Sequence, residues 1–150
     1  MHRSKVLAGG LIFGFALAST ALLAADPVQV DPGQWQYSAT LTGSHLPQPI
    51  VQEFSECVTP EMSKRSMVEM LTDFQRSSGC ELSNIVQSAG KVTADTQCKN
   101  PKLPVAGEGN FVAVYDETSF EIEGESSVTS GKTTAVVRYR HVGKRVGPCT

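Results

Sequence analysis

The sequence predicts a mainly β fold: an antiparallel, strongly curved sheet or partly closed barrel of about seven strands with one covering α-helix. Three observations predict it. Apolar and polar residues alternate with period two through most of the chain beyond Pro32. Turn residues recur between those runs at hairpin spacing. Only "TPEMSKRSMVEMLTDFQRSSG" changes to helical spacing. A flat sheet with the helix packed across one face is the alternative arrangement.

The chain opens on "MHRSK", a short cationic head, and then runs uncharged and apolar through "VLAGGLIFGFALASTALLAA". Gly9, Gly10 and Gly14, with small residues near the end, predict a secretory signal peptide over residues 1–25, cleaved near Ala24 or Ala25, rather than a permanent membrane anchor. Residues 26–150, about 125 of them, then form a single β-rich domain with one core. Without Arg3 and Lys5, the 13 basic residues fall to 11 against 15 acidic ones, a net charge of −4 with neutral histidines. Mild acidity offers nothing to a nucleic acid. No second long apolar run follows, so the mature form is expected not to span a membrane.

"PGQWQYSATL" reads as the opening strand, with Trp35, Tyr37, Ala39 and Leu41 on one face. "TGSHLPQP" is a loop, and "IVQEFSEC" a second, less regular strand. The helix follows, with Thr59 as N-cap, Pro60 at its first position, Met67, Met70, Leu71 and Phe74 as its apolar stripe, and Gly79 beyond its end.

"CELSNIVQSAGKVTADTQC" places Cys80 and Cys98 at equal distance from a turn. With Ser88-Ala89-Gly90 as a three-residue loop and Gly90 in its left-handed position, Gln87 faces Lys91, Val86 faces Val92, Leu82 faces Thr96 and Cys80 faces Cys98. One side then carries Cys80, Leu82, Asn84, Val86, Val92, Ala94, Thr96 and Cys98, mostly apolar against a polar reverse. Four cysteines admit three pairings; directly opposed strand positions favour Cys80–Cys98 and leave Cys57–Cys149. Two disulfides fit an oxidising compartment, and the wide spacings disfavour a four-cysteine zinc site.

"KNPKLPVAGEG" is a Pro- and Gly-rich connection. In "NFVAVYDETSFEIEGE", a Glu117-Thr118 loop sets Tyr115 against Phe120, Val114 against Glu121 and Ala113 against Ile122. A last turn at Ser130-Gly131 sets Gly124 against Val137, Ile122 against Tyr139, Phe120 against His141, Glu121 against Arg140 and Glu123 against Arg138. The resulting meander has one aromatic face and one charge-paired face.

The landmarks "PGQWQY", "CVTPE", the pair Cys80 and Cys98, "DETSFE" and the ending "GKRVGPC" occur in an order that resembles a bacterial family of small secreted proteins, domain of unknown function 3617. The resemblance runs from about Pro32 to Cys149, and its specificity comes from the order of short motifs together with the four cysteines. It implies an exported, cysteine-bridged protein of the Gram-negative envelope, hence a periplasmic location. It implies no reaction.

Catalysis requires converging groups, and the residues suggest none. No Gly-x-Ser-x-Gly, His-Glu-x-x-His or phosphate-cradling loop is present, and the two histidines after the leader, His45 and His141, lack metal-ligand spacing. Neither a cofactor nor a metal is expected. Glu121, Glu123 and Glu125 read as partners of Arg138 and Arg140 rather than as a cation site. Arg138, Arg140, Lys144 and Arg145 form a basic cluster that would suit an anionic headgroup. Met62, Met67 and Met70 all fall in the helix, where packing outweighs a copper-binding reading.

The leading expectation is a non-enzymatic periplasmic protein binding an apolar ligand or a protein partner through an aromatic sheet face. Its candidate residues are Trp35, Tyr37, Met67, Met70, Phe74, Phe111, Tyr115, Phe120, Ile122 and Tyr139. An envelope scaffold or stress-linked interaction protein is the second expectation, and a hydrolase using His141 the third.

Overall fold

The computed structural model describes residues 28–100 and 105–150. The expected signal peptide and its cleavage site, and the Pro101–Pro104 part of the expected connection, lie outside the described residues. Seven strands form one antiparallel sheet: β1 (Gly33–Gly43), β2 (Ile50–Val58), β3 (Cys80–Ser88), β4 (Lys91–Asn100), β5 (Val105–Tyr115), β6 (Ser119–Ser130) and β7 (Thr133–Gly147). Their order is β2-β1-β7-β6-β5-β4-β3, so the last strand sits between the first strand and the rest of a meander. The sheet is open, with β2 and β3 as its edges.

The expected single helix is two. α1 (Pro60–Ser63) takes Thr59 as its N-cap, whereas α2 (Met67–Ser77) starts afresh at Ser66. Ser66 is extended, its hydroxyl accepts from the Glu69 N–H at 3.2 Å, and the Glu69 carboxylate accepts from the Ser66 N–H at 2.8 Å. This reciprocal box caps a new helix where the first would otherwise continue. α2 lies over the concave face, burying Met67 and Leu71 against Trp35, Val92, Ala94, Phe111, Ala113 and Tyr115. The largest fully buried side chains are Trp35 and Phe111; the Trp35 indole N–H donates to the Asp31 carbonyl at 3.0 Å.

Three registers matter for the site. The β5–β6 hairpin is as expected, with Tyr115 against Phe120, Val114 against Glu121 and Ala113 against Ile122. In the cysteine hairpin, Cys80 faces Cys98 and Leu82 faces Thr96, but the turn is the two-residue Ala89-Gly90, because Ser88 pairs with Lys91. One extra residue on β3 between Ser83 and Val86 absorbs the mismatch. Asn84 takes a left-handed φ of 49° there, and its side-chain amide donates to Asp95 at 2.7 Å. Beyond this bulge the faces exchange: Val86 opposes Thr93 rather than Val92 and turns outward to solvent, while Gln87 points inward and donates to the Tyr115 hydroxyl at 3.3 Å.

The β6–β7 register is displaced by two residues from the expected one. The turn is Gly131-Lys132, with φ +60° at Gly131, and Ser130 pairs with Thr133. Gly124 therefore faces Tyr139, Ile122 faces His141, Phe120 faces Gly143, Glu123 faces Arg140 and Glu125 faces Arg138. The physical reason is ring packing. A Cβ on Gly124 would overlap the Tyr139 phenol, and one on Gly143 would overlap the Phe120 ring. Each aromatic thus covers a strand glycine on the neighbouring strand. β4 and β5 also extend into the expected connection, β4 to Asn100 and β5 from Val105.

Candidate functional site

The inward residues fall into rows across the sheet. One row runs Phe54, Tyr37, Gly143, Phe120 and Tyr115; the next runs Gln52, Ala39, His141, Ile122 and Ala113; a third runs Ile50, Leu41, Tyr139 and Gly124. Because Gly143 has no side chain, Phe120 leans toward β1. Its ring lies 6.1 Å from Trp35 and 5.8 Å from Tyr37, and Tyr37 in turn stacks on Phe54 at 4.8 Å. An aromatic series therefore starts in the core at Trp35 and ends in solvent at Phe54, which is 53% exposed.

The helix supplies the opposite wall. Phe74 of α2, 54% exposed, meets His141 edge-on at 6.1 Å, and His141 meets Tyr139 edge-on at 5.7 Å. His141 and Tyr37 are diagonal neighbours on β7 and β1, so Phe54 and Phe74 flank the same stretch of the concave face. Ile50 is also exposed there. The groove behind Phe54, between Gln36, Ser38, Glu53, Ser55 and Lys144, belongs to the convex face and is open to solvent.

Burial shapes the titration of this region. Tyr37 is pushed up to about 12, first by burial and then by the nearby Glu56 carboxylate. Burial also raises the Tyr139 phenol and lowers the His141 imidazole, which favours neutral forms of both. These three side chains therefore stay uncharged, while Glu56 and Arg145 share the face, both opposite Trp35.

Of the ten residues expected to line a binding face, Trp35, Met67, Phe111 and Tyr115 are buried in the core. Tyr37, Met70, Phe120, Ile122 and Tyr139 are partly buried and packed against it, and Phe74 projects into solvent. Two exposed members, Phe54 and Ile50, were missed. Their signal lay in "IVQEFSEC", where Ile50, Gln52 and Phe54 share one strand face, but the interruption by glutamates obscured it.

Arg138 and Arg140 find their acidic partners on the convex face. Arg138 pairs with Glu125 at 2.7 Å, and Arg140 with Glu121 at 2.6 Å and Glu123 at 3.4 Å. The basic residues do not form one cluster: Arg145 lies on the concave side opposite Trp35, and its Nε donates to the Pro32 carbonyl at 2.8 Å. His141 has aromatic rings on two sides. Among the described residues, no three His, Cys, Asp or Glu side chains gather to hold a metal ion. Met62 lies in α1, and Met67 and Met70 in α2; all three pack against the core. Disulfides join Cys57 to Cys149 and Cys80 to Cys98, in the expected pairing.

Residues 30–149 match the family model described as a protein of unknown function, DUF3617. The chain belongs to that family. No curated protein and no solved structure matches it. The DUF3617 chain thus presents a sheet with a packed aromatic centre and an uncovered apolar margin beside β2. Among the described residues, no helix is long and apolar enough to cross a membrane.

Proposed function

We propose that this DUF3617 protein is a non-enzymatic periplasmic binding protein that holds a protein partner against the uncovered β2 side of its concave face. One observation carries the reading: Phe54 and Phe74, on different elements, both expose more than half their surface beside one apolar stretch. Large exposed aromatics grouped in this way mark interaction sites. A small apolar ligand would need a concavity burying most of its surface, whereas Phe54, Phe74 and Ile50 stand exposed to solvent on this face. The apolar leader and the two disulfides support export to an oxidising compartment.

A photo-crosslinking residue placed at Phe54 or Phe74 in cells tests the proposal. A discrete protein adduct is expected at both positions and none at exposed Thr134 on the convex face. Absence of adducts at 54 and 74, or the same adducts at 134, would remove the reading.

A further inference from the structure

The two edges of the sheet are built differently. β3 is interrupted by the Asn84 bulge, and α2 packs against it. Such devices blunt an edge against further pairing. β2 pairs with β1 without interruption from Ile50 to Val58, and every residue from Ile50 to Glu56 is exposed. Among the described residues, no backbone bond outside the β1 ladder involves Ile50–Glu56. The C-terminal tail closes only one end of this edge, where Cys149 bonds to Cys57. Seven residues of open strand, spanning roughly 23 Å, remain.

The chemistry of that edge selects an occupant. Ile50, Val51 and Phe54 offer apolar contacts, and Glu53 and Glu56 are its charges, one directed to each face. No basic residue lies on β2, and neither glutamate forms an ion pair among the described residues. A second copy pairing through its own β2 would bring like charges onto one short ladder, which is unfavourable. A segment alternating Lys or Arg with apolar residues would set its basic row beside Glu53 on one face and its apolar row beside Ile50 and Phe54 on the other, while its backbone completed the ladder.

We propose that β2 receives an extended segment of a partner protein as an added strand, and that this segment alternates apolar and basic residues. The inference rests on the reading above that a partner is held beside Phe54, and it names the backbone contact and charge of that partner.

The test uses the mature protein and three short peptides: alternating valine and lysine, alternating valine and glutamate, and the valine–lysine peptide N-methylated at every residue. The valine–lysine peptide is expected to bind at least about tenfold more tightly than the glutamate peptide. Binding should weaken with salt and slow amide exchange across residues 50–56. N-methylation should abolish it, and Glu53→Lys/Glu56→Lys should reverse the charge preference. Equal binding of the methylated peptide, no charge preference, no binding, or protection outside β2 would each overturn the inference. So would protection of residues 50–56 that rises with protein concentration alone, since that assigns the edge to a second copy. If these results fail while the Phe54 adduct persists, only the added strand falls; loss of the adduct removes the underlying reading.

Discussion

Replacing Gly143 with alanine tests the packing on which the concave face depends. A Cβ at this position would overlap Cε1 of Phe120 and lie 2.6 Å from its Cζ and 2.8 Å from its Cδ1. Carbon atoms pack favourably at about 3.5–4.0 Å, so the ring must retreat by roughly 1 Å. It has nowhere easy to go, because Trp35 and Tyr37 hold it at 6.1 and 5.8 Å. Overpacking of this kind costs about 1–3 kcal/mol, and disturbing the stacked pairs adds about 0.5–1.5 kcal/mol. We expect a loss near 3 kcal/mol, read as a fall in Tm of roughly 10 °C, with urea titration giving the free energy directly. Two controls fix the interpretation. Gly147→Ala meets nothing within 4 Å and should change stability by no more than about 0.5 kcal/mol. Gly131→Ala also meets nothing, but its φ of +60° should cost about 1 kcal/mol through the backbone alone. Phe120→Leu combined with Gly143→Ala should cost less than the sum of the single changes. If Gly143→Ala proved as harmless as Gly147→Ala, Phe120 would not lie over Gly143, and the β6–β7 register described above would be wrong.

The two disulfides should differ in worth. By loop length, Cys57→Ala/Cys149→Ala, opening a 92-residue separation, should cost about 4–5 kcal/mol, and Cys80→Ala/Cys98→Ala, opening 18, about 3 kcal/mol; denaturant titration would show the order. His141 should make stability depend on pH. Burial holds its folded pKa below the ordinary imidazole value of about 6.5, so the unfolded chain binds the proton more readily. Stability is then full above pH 6.5 and declines as pH falls below it, and His141→Phe should flatten that part of the profile. Ser66→Ala removes one half of the helix cap and should cost about 1 kcal/mol by urea titration, with α2 losing amide protection at its first turn. The Glu69 carboxyl, held below its ordinary range first by the Ser66 backbone N–H, stabilises the fold above that range. This contribution should fade as acid protonates it, and Glu69→Gln should remove the dependence.

Strand number, the antiparallel arrangement, both disulfides and the β5–β6 register were legible because period-two alternation and opposed cysteines are local signals. The β6–β7 register was not. A turn at Ser130-Gly131 keeps the apolar and charged faces apart and sets Glu121 opposite Arg140, but a shift of two residues keeps the same faces, and Arg140 then reaches Glu121 diagonally at 2.6 Å. The decisive signal was steric: Gly124 and Gly143 stand where Tyr139 and Phe120 need room. Ser66-x-x-Glu69 could have announced the second helix, but the preceding Thr59-Pro60 start was equally plausible locally. The β3 bulge was hidden because an odd count between paired cysteines can be met either by a longer turn or by an extra strand residue. The candidate face was half legible: the rings were identified, but which were packed and which left open depends on where α2 crosses, a long-range outcome.

The placement of β7 has a consequence for assembly. β1 belongs to the earliest part of the described chain, yet its interior neighbour is the strand that ends at Gly147, and the clasp on β2 comes from Cys149. A polypeptide delivered amino end first cannot seat its opening hairpin until β7 has arrived. The meander from β3 to β7 must therefore wait for its first two strands to return, with Trp35 unburied in the interim. Completion is a long-range docking event, sealed by a thiol that follows all seven strands in the chain.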